Sequence, residues 1–472
     1  MNSTTRVLVL ASLLASLISF RQNAFAADVN SEMDSAPIPV TDEARHQILE
    51  WNLKTLVQAY EEAGHTNAVW DQPAKTALNA YACLRARMDS TNGPWKKIVF
   101  RNAVQACQAG CNDPLVNYLR LRNAPMDAYG DSFRFFIAAA TNLNSSSYRG
   151  VRAFYAYARA IHHLDDFDQH RSPAVAAIRN QLLPRLKENL ELALHDTNMP
   201  AREAYEISNM ALSLMESERA NYQDVYGWIH PFFDNWGDDY TTLLLKGKAY
   251  VQLAWFARGD READNVTEEG WKKFFADLEV ASEALEKAWL THTNDVEIPD
   301  TMLSVVLGQQ GKLADLDLWF DRSMMLNTNN YRACRRRLNY LEPKWYGSDK
   351  KQLEFGRWCA TSLNWGGRVP LILVDAHEAV NGRNEEPAHG DYWKRPEVWE
   401  DVQRSYNRFF ELNPDDVDEY ENYAWHAYRA EQWDKLNELL PKIKQPHYSI
   451  WGNMDEYFIM VRIAKEHAAS KQ

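Results

Sequence analysis

ASEALEKAWLTHTNDVEIPDTMLSVVLGQQGKLADLDLWFDRSMMLNT, residues 281–328, decides the fold, because its two ends carry one pattern. Ala281, Leu285, Ala288 and Thr293 recur 35 residues on as Leu316, Phe320, Ser323 and Thr328. The set returns as Val402, Tyr406, Phe409 and Pro414, and a further step of 34 residues from Val402 reaches Leu436, followed by Leu440 and Ile443. Side chains at i, i+4 and i+7 share one helical face, so each set marks a helix. The period leaves room for one partner helix between sets.

The partner helices are readable too. Leu243, Gly247 and Tyr250 precede the first set, Leu303, Ser304 and Leu307 the second, and Tyr420, Tyr423, Ala424 and Ala427 the last. A small residue such as Gly247 lets two helices approach closely. The repeat has tetratricopeptide length. It is interrupted twice, by about 22 extra residues before Ala281 and by a step of 86 residues from Leu316 to Val402. The first interruption contains Trp255, Arg258, Gly259, Thr267 and Trp271; the second contains Trp345 and ends in a polar loop from Asn381 to Tyr392. Loops of that length often carry function. Asn413 and Pro414 are expected to stop one helix, and Asp416 with Glu419 to form a capping box for the next.

The expected architecture is all-α: a tetratricopeptide-like helical array, an α-solenoid with a right-handed superhelix, over residues 236–472, preceded by an irregular helical region over 42–235. That region reads as helices at Ala44–Glu62, Pro73–Met88, Gly93–Ala109, Pro114–Arg122, Tyr148–His163, Pro173–His195, Ala201–Asn221 and Val225–Phe233. Pro184 is expected to kink or split one of them. Gly110 reads as a helix C-cap, with Asp113 and Pro114 opening the next helix. Sparse glycine and proline, 19 and 18 in 472 residues, fit long helices.

The first residues, Arg6, an apolar run from Val7 to Phe20 and Ala24, Phe25 and Ala26, have the form of a signal peptide cleaved after Ala26. The run is too short for a spanning helix, which needs roughly 20 residues. Residues 27–41 read as a polar leader. Export to a periplasmic or secreted location is expected, with no membrane attachment after cleavage. Cleavage removes two arginines and no acid, taking the formal charge from −13 to −15. So acidic a chain disfavours nucleic acid as a partner. Five cysteines remain in a compartment that permits disulfides. Cys334 and Cys359 flank a turn and are candidates for a bridge. Cys111 either pairs with Cys83 or stays a buried thiol.

Three phrases, GCNDPLVNYL from Gly110, AWFARGDREADNVTEEGWKKF from Ala254, and the stretch from Tyr331 through YLEPKWYGS to Cys359, resemble bacterial exported proteins with degenerate tetratricopeptide repeats, a family of unknown function. The resemblance implies the repeat fold and no particular activity. By analogy with such arrays, the implied partner is a protein or peptide.

No constellation reads plainly as a catalytic or metal centre. His162, His163, Asp165, Asp166, Asp168 and His170 offer metal-ligand atoms, yet read better as a helix end and a solvated turn. His377 and Glu378 begin a zinc-protease motif that fails at Asn381, and a surface helix is expected there. Arg335, Arg336 and Arg337, with Arg332 and Lys344, are the main basic group; neighbours on a helix diverge, so a solvated face paired with acids is expected. Seventeen tryptophans and the acids Asp234, Asp238, Asp239 and Asp391 would suit a helical-toroid enzyme acting on carbohydrate. A structural cell-envelope component is a further alternative. The favoured reading is a non-catalytic binding scaffold without cofactor or metal, with Tyr250, Trp255, Arg258, Trp271 and Trp345 as candidate binding residues.

Overall fold

The computed structural model describes residues 42–472 apart from 64, 89–92, 125–131, 168–171, 217–221, 238, 260–264, 384–391, 415, 445, 448–449 and 470–472. The proposed signal peptide and leader lie outside them. The described residues are helical throughout and contain no strand, and none of their helices is long and apolar enough to cross a membrane. Two compact units divide the chain between Ile298 and Pro299.

In the N-terminal unit the helices are α1 (Asp42–Leu53), a π-helical segment (Lys54–Gln58), α2 (Ala59–Glu62), α3 (Asp71–Arg85), α4 (Gly93–Gln108), α5 (Pro114–Arg122), α6 (Ser132–Asn144), α7 (Val151–Phe167), α8 (Pro173–Leu194), α9 (Ala201–Glu216), α10 (Tyr222–Asn235), α11 (Tyr240–Arg258) and α12 (Glu268–Thr291). Consecutive helices pack on one another, and α9 also packs on α1, α7 and α11. Local chemistry sets the ends. Gly110 takes φ +103° to close α4, and Cys111 N–H donates to Ala106 O at 3.0 Å. Asp113 then caps α5 through Leu115 N–H (2.9 Å) and Val116 N–H (3.0 Å), with Pro114 at the first helical position. This is the reading made from the sequence. Pro184 leaves α8 a single helix.

At the centre lies α7, whose side chains are buried without a break from Val151 to His162. Sequence placed the end of this helix at His163; it runs four residues further, so Asp165 and Asp166 are helical and not in a turn. The expected solvated turn is thus displaced, and His162 is buried at 6 % exposure.

The residues added before Ala281 lengthen both helices, α11 to 19 residues and α12 to 24; Gly259 takes φ +71° at the end of α11, and the Thr267 hydroxyl caps α12 at Gly270 N–H. Gly247 is where α11 meets α12: a Cβ there would sit 2.5 Å from Leu285 Cγ.

The helix α13 (Glu297–Gly308) leads into the C-terminal unit, with α14 (Leu313–Leu326), α15 (Tyr331–Tyr340), α16 (Asp349–Thr361), a 3-10 turn (Val369–Leu371), α17 (Ile372–Arg383), α18 (Pro396–Leu412), α19 (Glu419–Arg429), α20 (Trp433–Leu439), a 3-10 turn (Leu440–Lys442) and α21 (Met454–Ala469). The repeat positions are core positions. Ala281, Leu285 and Ala288 are buried in the first unit, and Leu316, Phe320, Ser323, Val402, Tyr406, Phe409 and Leu436 in the second, while Leu440 and Ile443 are half-buried. Rings fill the space between helices here: Tyr406 stacks on Tyr423 at 4.4 Å and Phe410 on Tyr420 at 4.2 Å. Asp416 does accept from Glu419 N–H (3.4 Å), but no capping box closes, because the Glu419 carboxylate pairs with Arg368 at 2.6 Å.

Candidate functional site

Three of the five candidate binding residues come together at the far end of the α11–α12 hairpin. Trp255 and Arg258 lie on the last turn of α11 and Trp271 on the first of α12, all half-buried. The Arg258 guanidinium carbon stands 5.8 Å from the Trp255 ring and 5.5 Å from Trp271, a distance at which a cation is drawn to both ring faces. Trp255 and Trp271 close edge-on over buried Phe274 at 5.1 and 5.6 Å, which anchors them to the hairpin. Trp271 also stacks on Phe275, itself 42 % exposed, and Phe256, next to Trp255 in the chain, is 37 % exposed. Among the described residues the tip therefore presents aromatic surface packed about Arg258, whose Nη1 donates to Gly259 O at 3.1 Å.

The other two candidates are elsewhere. Tyr250 lies nearer the middle of α11, edge-on to Tyr226 of α10 at 5.7 Å; burial and then Tyr250 push the Tyr226 phenol up to about 12. Trp345 lies in the C-terminal unit, half-buried in the turn after α15, where its backbone N–H donates to Glu342 O.

A buried ionic network, which sequence gave no hint of, ties the N-terminal unit together. Arg85 of α3 donates to Glu203 (2.8 Å) and Glu206 (2.7 Å) of α9 and to the Tyr155 hydroxyl of α7. Arg202 of α9 donates to Asp295 (2.7 Å) and Glu297 (2.5 Å), and Lys248 of α11 and Tyr205 share the other Glu297 oxygen at 2.6 Å each. Burial alone would push Glu297 up, but Lys248 and Arg202 outweigh it and hold the carboxyl well below its usual range.

The remaining sequence candidates are absorbed by structure. His163 stacks on Phe136 at 4.7 Å, and burial, helped by Arg159 and His162, brings it down to about 4. His162 pairs with Asp166 at 3.3 Å; Asp168 and His170 fall outside the described residues. No group of potential metal ligands converges among the described residues. His377, expected on a surface helix, is buried at 1 % exposure between Tyr392 (2.8 Å) and Asp401 (3.2 Å), because α17 is covered by α16 and α18. Glu378 meets His426 and Arg429. Of the arginine triplet, Arg337 pairs with Asp317 at 2.8 Å amid the rings of Phe320, Phe355 and Trp358, so it is enclosed and not a solvated face. Asp234 pairs with exposed His230 at 3.1 Å and Asp239 caps α11; Asp238 and Asp391 lie outside the described residues. All five cysteines are thiols; Cys334 and Cys359 are both fully buried, and burial followed by a hydrogen bond with Cys334 pushes Cys359 well up.

No family model, curated protein or solved structure matches this chain.

Proposed function

We propose that this is an exported protein of the tetratricopeptide-like kind, a helical scaffold that binds a protein or peptide and uses the end of the α11–α12 hairpin to do so. The observation that carries the reading is the Arg258 guanidinium between Trp255 and Trp271 with Phe275 exposed beside them. Aromatic residues and arginine dominate binding energy at protein interfaces, and here a buried Phe274 holds them in place before any partner arrives. Export rests on the first 26 residues, and the mature protein should begin at Ala27, which mass spectrometry of the protein recovered from its producing cell would read directly.

The scaffold reading is tested by affinity capture from that cell with the wild type, Arg258→Glu, and a control, Leu290→Asn, which alters a residue 82 % exposed at the opposite end of α12. Partners retained by the wild type and the control but lost with Arg258→Glu support it. An identical partner set for all three, or no partner together with turnover of a glycan panel, sinks it.

A further inference from the structure

One cation of the N-terminal unit differs from its neighbours. Arg202 and Arg152 are buried and Arg85 is largely so, and Arg85 and Arg202 each donate to two carboxylates. Arg152, on the first turn of α7 and 3 % exposed, has no carboxylate partner among the described residues. Its Nη2 donates to the neutral oxygens of Asn52 (2.9 Å) and Thr55 (2.6 Å), and its Nε and Nη1 have no hydrogen-bond partner. The nearest acid it feels, Glu203, is already held by Arg85 and Tyr155. A buried guanidinium left this way is strongly destabilising unless an anion answers it.

Arg152 lines a cavity of about 330 Å³, large enough for a small organic ligand. One wall comes from the π-helical segment, which supplies Lys54 and Thr55. A π-turn inserts one residue into a helix and is frequent at functional sites. The Trp51 ring lies 5.1 Å from the Arg152 guanidinium, and the indole N–H donates to Asp196, whose other oxygen accepts from Asn198 N–H. Glu62, the second acid of the lining, accepts from Gln58 at the exposed rim. Leu192, Ala193 and Met199 supply apolar lining.

We propose that this cavity binds a small organic acid, its carboxylate answering the charge of Arg152 and its apolar body lying against Trp51 and the Leu192–Met199 lining. The site is separate from the hairpin tip and does not depend on the scaffold reading. Binding to the full chain is measured by calorimetry and thermal shift with acetate, hexanoate, phenylacetate, the neutral phenylacetamide and inorganic phosphate. Phenylacetate and hexanoate are expected to bind, with phenylacetamide at least ten-fold weaker. Arg152→Met should weaken phenylacetate at least ten-fold without lowering the melting temperature, because an apolar isostere removes an unanswered buried charge. Should that variant fail to fold, Leu192→Trp fills the cavity from a residue 44 % exposed and should abolish binding while leaving the core intact. Equal binding of phenylacetate and phenylacetamide, tighter binding of inorganic phosphate, undiminished binding by Leu192→Trp, or no binding by any acid overturns the proposal.

Discussion

His163 carries the pH dependence that can be assigned to a single side chain. In the native state it is held at about 4, against 6.5 when unfolded, so the fold favours the neutral ring. Above pH 6.5 both states are neutral and the full stability is present. As pH falls from 6.5 towards 4 the unfolded chain takes up a proton that the native one refuses, and stability declines by no more than about 3 kcal/mol. His162, also lowered by burial, adds to the loss with the same sign. Glu206 and Glu297 act further down: their native values are depressed, so their contribution is present above the usual carboxyl range and is lost as pH falls through those lower values. Urea denaturation at steps between pH 4.5 and 7.5 should therefore show a decline that His163→Phe, which keeps the ring against Phe136, makes shallower. An unchanged slope would refute the assignment. The sequence held part of this. His162 and His163 sit between Ile161 and Leu164 in a helix rich in alanine and aromatic residues, a burial signal that the run of aspartates behind them masked.

At the scale of elements, Gly247 was legible and the hairpin it closes was not. A glycine between Leu243 and Tyr250 announces a close helix contact, and the contact is with Leu285, itself fully buried on α12. Gly247→Ala would place a methyl group 2.5 Å from Leu285 Cγ, and overpacking of that kind costs about 1–3 kcal/mol. Chemical denaturation should show that loss, and Leu285→Ala in the same chain should recover part of it by making room; additive losses in the double variant would place the strain elsewhere. The extra residues before Ala281 read only as an insertion, because the repeat offered no place for them. The signals of two longer helices were present all the same: Gly259 as a stop, and Thr267 followed by Glu268 and Glu269 as a start. Likewise α6 has Phe133, Phe136, Ala140 and Leu143 at helical spacing, and sequence reading passed over it. The length of the hairpin is what carries Trp255, Arg258 and Trp271 to one end. If they form a binding surface, Trp271→Ala should weaken a captured partner by about ten-fold or more, the scale of an interface hot spot, with little change in the melting temperature.

For the whole molecule, local pattern fails for a physical reason: the contacts that close the N-terminal unit join residues far apart in the chain, and no period links them. Arg85 reaches Glu203, Tyr155 reaches Glu203, and Arg202 reaches Asp295 and Glu297. A chain ending at Asn235, the boundary expected from the sequence, would lose Lys248, Asp295 and Glu297, leaving the Arg202 guanidinium only Glu206 at 3.9 Å and the Tyr205 hydroxyl without its partners. Breaking a buried ion pair costs about 3–5 kcal/mol, and the packing of α11 on α9 and α10 would go with it. That loss is of the order of the whole stability of an ordinary domain. Residues 42–311, which keep the network and the full length of α13, should therefore give a cooperative thermal transition with near-ultraviolet circular dichroism. Residues 42–235 should keep helical far-ultraviolet signal and lose both. A cooperative transition at the same temperature for the two fragments would mean that the network is not what closes this unit, and that its stability comes from hydrophobic contacts among α1 to α10 alone.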